Sequence, residues 1–92
     1  MEVELHLPGC SSLKEKRSVI RHLLETARRR FAVSASEVDH HDLHQRAALG
    51  FAVVAPTAGR VDEILDTVER LVWSEPRATV LSCARHWLDL DP

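Results

Sequence analysis

The chain has 92 residues, of which 45% are hydrophobic and 28% are charged, and its formal net charge at pH 7 is −2. This length supports one small domain with its own core, so we expect a single domain over residues 1–92. No apolar run approaches the roughly 20 residues that cross a bilayer, and the start lacks the basic and apolar blocks of a secretory signal, so we expect a cytoplasmic protein. In that compartment Cys10 and Cys83 are expected to be free thiols.

The first strand and the first helix have clear patterns. Residues 2–7 alternate polar and apolar side chains, as a half-buried strand does, and a Pro-Gly pair ends it. Ser12, followed three residues later by Glu15, has the form of a capping box, which predicts that a helix begins near Leu13. Apolar side chains then recur at three- and four-residue spacing, which predicts an amphipathic helix as far as Phe31.

The rest of the chain predicts three strands and a second helix. The predicted elements are strands over 32–39 and 47–55, a helix over 61–72 and a strand over 79–88. Asp62 and Glu63 are assigned to the first turn of the second helix, where its dipole favours negative charge. Glu75-Pro76 is expected to end that helix.

The resulting order is strand, helix, strand, strand, helix, strand. This order is typical of the split βαβ or ferredoxin-like arrangement. Right-handed crossovers put both helices on one face of an antiparallel four-stranded sheet. The predicted fold class is therefore α/β (α+β), with ferredoxin-like βαββαβ topology.

The third strand predicts what each face of the sheet carries. Its bulky residues are assigned to the core and its small residues to the open face, in the sets Leu49, Phe51 and Val53 against Ala48, Gly50 and Ala52. With Glu4 and His6, the open face would have no aromatic side chain, which argues against base stacking of the kind seen in RNA-recognition motifs. A flat strip of small residues fits packing against a second copy of the chain, or stays partly exposed on a monomer.

Four other side chains were assigned from their elements. Trp73, near the end of the second helix, and Trp87, in the fourth strand, are expected to pack in the core or at its rim. Cys83 is expected in the core. His86 is expected to neighbour His6 on the open face, since the first and fourth strands should be adjacent and antiparallel.

The first helix carries a strongly basic surface. Its cations are Lys14, Lys16, Arg17, Arg21, Arg28, Arg29 and Arg30. The three arginines of the last turn complement the helix dipole, whereas Lys14, Lys16 and Arg17 lie in the first turns, where the dipole disfavours cations. Lys16 also projects toward the apolar side by its position on the helix, so its stem can cover the core. Binding of an anion such as an RNA phosphate would explain the cations of the first turns. The alternative is a solvated basic face.

The polar loop after the second strand is the one cluster with metal-ligand chemistry. Imidazole and carboxylate groups occur together in the segment Asp39-His40-His41-Asp42-Leu43-His44. Their spacing matches no closed zinc motif, so the preferred interpretation is that these polar residues form a solvated turn. We expect no metal and no cofactor. No activated nucleophile and no glycine-rich phosphate loop is recognisable, so we expect a non-enzymatic protein. A metal- or small-anion-dependent enzyme using residues 40–46 is the weakest alternative.

Three blocks together support a family resemblance. They are Ser12-Leu13-Lys14-Glu15-Lys16-Arg17-Ser18-Val19, then Val38-Asp39-His40 with Asp42-Leu43 and Gln45-Arg46-Ala47, and then Gly50 with Val53-Val54. The chain resembles, over nearly its whole length, the YlxP-like family of small bacterial proteins, a domain of unknown function. The resemblance implies a ferredoxin-like domain without an established activity, often encoded among genes for translation initiation and ribosome maturation. His41 and His44 depart from the expected pattern, which weakens a family metal site.

The leading hypothesis is a cytoplasmic protein that contacts ribosomal or other structured RNA. The residues assigned to RNA or anion binding are Lys14, Lys16, Arg17, Arg21, Arg28, Arg29, Arg30 and Arg46. His40, Asp42 and Gln45 belong to a loop of unknown role. The alternative hypothesis is a homodimerising module that uses its open sheet face and does not bind nucleic acid.

Overall fold

The computed structural model describes residues 1–88, so the last four residues of the predicted domain lie outside it. The elements are β1 (Glu2–His6), α1 (Leu13–Phe31), β2 (Ser34–Asp39), β3 (Arg46–Ala52), α2 (Ala58–Trp73) and β4 (Thr79–Ala84). The strands form one antiparallel sheet in the order β2-β3-β1-β4. This confirms the predicted ferredoxin-like α+β fold. No helix within residues 1–88 has both the length and the apolar character needed to cross a membrane.

The helix α1 begins at the predicted capping residue. The Ser12 hydroxyl accepts a hydrogen bond from the backbone N–H of Glu15 at 3.1 Å. The Glu15 carboxylate accepts from the backbone N–H of Ser11 at 2.9 Å, one residue earlier than in the usual capping box. The helix ends where Ala32 adopts a left-handed conformation, with φ of 52°. Both ends of α1 are therefore defined by local hydrogen bonding.

The boundaries of α2 and β4 differ from the prediction. Thr57 caps α2 by accepting from the N–H of Arg60 at 3.1 Å, so the helix begins three residues before the first apolar residue of its stripe. Placing Asp62 and Glu63 in its first turn was wrong, since they lie in the second. The fourth strand was also predicted too long, because β4 ends at Ala84.

The core lies between the sheet and the two helices. Alternate strand residues, including Leu5, Leu49 and Phe51, join one cluster with the apolar stripes of α1 and α2, so both helices cover the same face of the sheet. Val53, beyond the end of β3, is partly buried against that cluster. The division of the third strand into core and open-face residues is thus confirmed for the core set.

Neither tryptophan lies in the core. Trp73 is at the end of α2 as predicted, but it is 62% exposed, and Trp87 follows β4 and is 54% exposed. The core assignment of Cys83 was also wrong, since β4 is an edge strand that only α2 flanks and the residue is exposed. Its thiol donates to a Glu69 carboxylate oxygen at 3.3 Å. Partial burial and that hydrogen bond raise the pKa of Cys83 to about 11.

The predicted pairing of His6 with His86 was wrong. In the antiparallel register of β1 with β4, His6 lies opposite Thr79 and Glu2 lies opposite Ala84. Because His86 follows Ala84, it is beyond the opposite end of β1 from His6. The prediction that β1 and β4 are adjacent and antiparallel was correct, but it did not determine which residues of the two strands lie opposite each other.

The open sheet face is less open than the sequence suggested. Ala48 is fully buried, and a Cβ atom added at Gly50 would lie 2.8 Å from Cγ1 of Val38, which covers that position. Of the three small residues, only Ala52 is exposed. The flat strip on which the dimer prediction depended is therefore largely filled by the chain's own side chains.

Candidate functional site

Four of the predicted cations form a line along α1. The apolar stripe of α1 faces the sheet, and Lys14, Arg17, Arg21 and Arg28 lie beyond it, all exposed. Their spacing of three, four and seven residues places them within an arc of about 60° at 100° per residue. With a rise of 1.5 Å per residue, they extend over about 21 Å of the helix axis. We call these four residues the basic line.

The basic line is not neutralised by nearby carboxylates. Within residues 1–88, salt bridges account for five of the chain's twelve lysines and arginines, namely Lys16, Arg46, Arg60, Arg77 and Arg85. Over the same residues, no ion pair involves the basic line, nor Arg29 or Arg30 beside its end. The seven cations and two glutamates of α1 give the helix a formal charge of +5. Its exposed side therefore carries an excess of positive charge, and the exposed Glu25, which shares that side, forms no salt bridge with the basic line within residues 1–88.

Arg28 also has a structural contact. Its guanidinium donates to the backbone carbonyl of Ala35 in β2, an edge strand of the sheet. A guanidinium has five N–H donors, so this contact leaves others available. Arg28, Arg29 and Arg30 occupy the last turn of α1, where positive charge also complements the helix dipole. These three arginines thus have a reason to be present that Arg17 and Arg21 do not share.

Lys16 differs from every other cation on α1 because it is only 1% exposed. Its ammonium donates to the backbone carbonyl of His40 at 2.6 Å and forms a salt bridge with Glu37 at 2.7 Å. Its position on the apolar side of the helix agrees with the prediction that its stem covers the core. Because the ammonium is enclosed, Lys16 does not belong to the accessible surface to which the sequence assigned it.

His40 connects the two faces of the sheet. Its backbone is left-handed, with φ of 63°, and its carbonyl faces Lys16 on the helix side. Its ring Nε2 lies 3.2 Å from both carboxylate oxygens of Glu4 on the open face. In the strand register Ala48 lies between Asp39 and Glu4, and Ala48 is fully buried.

Arg46 belongs to the same polar group rather than to a free cationic surface. Its Nη2 donates to Glu4 at 3.0 Å. The Arg46 hydrogen bond, followed by that of His40, holds the pKa of Glu4 below its ordinary value. Arg46 is half-buried, and its charge is matched by that of Glu4. The structure therefore places it apart from the basic line, on the opposite face of the sheet.

The loop after His40 is tied to the connection between β1 and α1. The backbone N–H of Leu7 donates to the carbonyl of Gln45 at 2.9 Å, and the Gln45 amide lies 3.5 Å from the carbonyl of Cys10. Asp42 and His44 are exposed. Over residues 1–88 no three His, Cys, Asp or Glu side chains are grouped so that they could hold a metal ion. Gln45 thus connects the end of the loop to the segment between β1 and α1, while residues 41–44 are exposed.

A cavity of about 500 Å³ opens between the connection from β1 to α1, the start of α1 and the segment after α2. It is lined by Pro8, Gly9, Cys10, Glu15, Ser18, Val19, Pro76 and Arg77. Its two charged residues have partners elsewhere, since Glu15 is bonded to Ser11 and Arg77 donates to Glu75 at 2.5 Å. Cys10 is a buried free thiol, and burial raises its pKa, so it is less reactive than an exposed thiol.

Sequence reasoning missed the acidic partners that organise this end of the domain. Glu37 lies in a weakly patterned strand, and nothing local indicated that it would pair with Lys16 across 21 residues. Glu4 was assigned to the open face, but its bonds to His40 and Arg46 depend on strand register. The signal that could have found Glu37 was Lys16 itself, since a lysine on an apolar helix face requires a buried acceptor.

Two of the three blocks that carry the family resemblance meet at this end. Lys16 of the first block donates to His40 of the second, and that contact lies beside the start of the basic line. The chain matches the family described as "Protein of unknown function (DUF503)" over residues 1–85. It is 33% identical over 75 residues to "Uncharacterized protein YlxP" of Bacillus subtilis (strain 168), an alignment that covers 82% of each chain. These matches confirm the predicted resemblance, and the chain belongs to the DUF503 family of proteins of unknown function.

Proposed function

We propose that this protein binds ribosomal or other structured RNA through the exposed cations of α1. The observation that supports the proposal is the contrast between those cations and the rest. Within residues 1–88 the basic line forms no salt bridge, whereas four of the five cations outside α1 do, namely Arg46, Arg60, Arg77 and Arg85, with Arg70 as the exception. Lysine and arginine side chains that converge on one exposed face are the groups that contact nucleic-acid phosphates.

The start of α1 adds a second argument. Lys14 and Arg17 lie in the first turns, where the positive end of the helix dipole disfavours cations by some tenths of a kcal/mol each. Arg17 and Arg21 are also four residues apart, a spacing at which like charges repel on a helix surface. The positions of Lys14 and Arg17 therefore cost stability in the isolated chain, whereas Glu25, four residues after Arg21, offsets part of the repulsion at Arg21. A polyanion bound at these cations would offset both the unfavourable helix dipole and the repulsion between like charges. Phosphate binding therefore accounts for cations at these positions.

The family resemblance supports the proposal by analogy, since proteins of this family are often encoded among genes for translation initiation and ribosome maturation. The alternative of homodimerisation through the open sheet face has less support, because Ala48 is buried and Gly50 is covered by Val38. No catalytic activity is proposed.

Two charge-matched double variants test the proposal. Arg17→Gln with Arg21→Gln removes two exposed cations from the basic line, and Arg60→Gln with Arg70→Gln removes two from exposed positions on α2. Binding to a fluorescently labelled ribosomal RNA fragment is followed by anisotropy at low salt. The α1 variant should bind at least about tenfold more weakly than the parent, and the α2 variant should change affinity by less than about threefold.

The two variants have the same net charge, so equal losses of affinity would mean that total charge, and not the basic line, governs binding. If the parent protein does not bind the fragment at low salt, the proposal is wrong. Circular dichroism and urea unfolding of both variants check that each remains folded. All four positions are exposed, so little change in stability is expected.

A further inference from the structure

We infer that the RNA bound by α1 is double-helical, and that it is contacted along its phosphates rather than through its bases. This inference rests on the proposed function and names the class of RNA that fits the basic line. It follows from where the aromatic side chains lie, how the cations are arranged, and how deeply α1 is set into the domain.

The first observation is the position of the aromatic side chains. Proteins that bind single strands without sequence preference stack bases on aromatic rings, a contribution of about 1–3 kcal/mol per base. The chain has two phenylalanines and two tryptophans. Phe31 packs against the core at the end of α1, Phe51 is buried, and the exposed Trp73 and Trp87 belong to α2 and the segment after β4. The exposed side of α1 therefore has no phenyl or indole ring on which a base could stack.

An imidazole can also stack on a base, and α1 exposes one at His22. At 100° per residue, His22 is turned about 100° from Arg21 and about 140° from Arg17 around the helix axis. It therefore points away from the basic line. A strand held by the cations would not bring its bases over this ring.

The second observation is that the basic line is straight and relies on charge alone. Its four cations project from one uninterrupted helix over about 21 Å, so their Cα positions are fixed relative to one another while the charged groups can move over a few ångströms. A surface of this kind gains most from a ligand whose phosphates are dense and equally fixed. Counterion release per contact is larger for a duplex than for a single strand, with salt slopes of about −0.9 per phosphate for B-form DNA and −0.7 for single strands. A flexible strand would in addition lose conformational freedom when held straight.

The third observation concerns how α1 can approach a duplex. Its inner side is buried against the sheet, and α2 lies beside it in the same layer, so only an outer strip of α1 is accessible. A helix is about 10–12 Å wide, and the major groove of A-form RNA is deep and narrow. The helix therefore cannot enter that groove to read bases. It can lie across the phosphates that border the wide, shallow minor groove.

These observations have a specific consequence for selectivity. Phosphate contacts position a protein on a duplex but carry no sequence information. The protein should therefore prefer duplex over unstructured RNA and should not distinguish between duplexes of different sequence. The open sheet face, where Glu4, His40 and Arg46 bond to one another, should take no part in binding.

The test compares three labelled RNAs with the full chain under the same low-salt buffer. Two are duplexes of about 16 base pairs with unrelated sequences, a length that a known class of duplex-binding domain spans. The third is an unstructured uridine strand with the same total number of phosphates. We expect each duplex to bind at least about tenfold more tightly than the strand, and the two duplexes to agree within about threefold.

The outcomes separate this inference from the proposed function. If the unstructured strand binds as tightly as the duplexes, the inference is overturned while RNA binding through α1 stands. If one duplex binds far more tightly than the other, contact through phosphates alone is overturned. If none of the three RNAs binds, the proposed function itself fails. Arg17→Gln with Arg21→Gln should weaken duplex binding, whereas His22→Ala should leave it within about twofold of the parent.

Discussion

The two helices of this domain carry opposite charges and differ in how those charges are used. On the side of α2 next to β4, the carboxylates of Asp62, Asp66 and Glu69 are gathered by one arginine, Arg85, at 2.6, 2.7 and 3.3 Å. These bonds raise the pKa of Arg85 and join the end of β4 to α2. On the outer side of α1, the basic line has no such partner within residues 1–88. The charges of α2 hold two elements together, whereas those of α1 face solvent.

This contrast separates charges that stabilise the fold from charges that do not. A guanidinium shared by three carboxylates contributes hydrogen bonds as well as ion pairing. Exposed like charges at helical spacing contribute no stability and repel one another. Both kinds of charge occur on α1. Lys16 is enclosed and paired, although it lies two residues from the exposed Lys14 and one residue from the exposed Arg17.

The largest expected effect is that of Lys16→Met. It leaves the Glu37 carboxylate and the His40 carbonyl without their buried partner, and removing one member of a buried pair costs about 3–5 kcal/mol of unfolding free energy. Urea unfolding measures the loss. Lys14→Met is the matched control, because it removes an exposed lysine from the same helix and should change stability by less than about 0.5 kcal/mol.

The double variant Lys16→Met with Glu37→Gln should recover part of that loss, since no unpaired charge then remains buried. If Lys16→Met were as mild as Lys14→Met, the distinction between enclosed and exposed cations on α1 would be lost.

Removing cations from the basic line should reduce the salt dependence of RNA affinity. Each phosphate contact contributes about one unit to the slope of log affinity against log salt. Arg17→Gln with Arg21→Gln should therefore lower the slope by about 2. Titrations over a range of KCl concentrations measure it. Arg60→Gln should leave the slope unchanged, and an equal decrease in that variant would contradict the assignment to α1.

Arg85→Ala should destabilise the fold by about 1 kcal/mol, since it removes hydrogen-bonded ion pairs that are partly exposed. The measurement is again urea unfolding. Arg60→Ala, which breaks an exposed pair with Glu63 three residues away, provides a comparison and should cost only a few tenths of a kcal/mol. RNA binding should survive Arg85→Ala, and its loss would argue against confining the interface to α1.

The smallest expected effect is a pH dependence from Glu75. The hydrogen bond from Arg77 holds the pKa of this buried carboxyl below its ordinary value of 4.5. Its contribution to stability is therefore complete above that value and is lost as the pH falls through the lowered pKa. The free energy of unfolding, measured by urea titration at a series of pH values, should decrease below about pH 4.5, by about 1 kcal/mol or less. In Glu75→Gln this part of the decrease should disappear, and an unchanged profile would assign the loss to other carboxyls.

Much of the fold could be predicted because its signals are local. The apolar period of α1, its Ser12 cap and the alternation in β3 each depend on neighbours within a few residues. The end of β4 and the exposure of Cys83 could not be predicted in this way. They depend on β4 being an edge strand with a helix beside only part of it, which is a property of the assembled sheet.

The candidate site was predictable only as a set of exposed charges. The position of Lys14, Arg17 and Arg21 on the outer side of α1 follows from helical spacing. The ion pairs of Lys16 and Arg46 do not follow from helical spacing. Their partners Glu37 and Glu4 are distant in sequence and are brought near by strand order and register. A cation's sequence position indicates which face of an element it lies on, but its accessibility depends on carboxylates elsewhere in the fold.

The contact between Val38 and Gly50 limits how this family can vary. A Cβ at position 50 would lie 2.8 Å from Cγ1 of Val38, and a β-branched side chain has little freedom to rotate away. The two positions are therefore coupled, so that either can change safely only when the other changes with it. Relatives that carry a larger residue at position 50 are expected to carry a smaller one at position 38. Such paired exchange would appear as covariation between adjacent strands, independent of any conserved function.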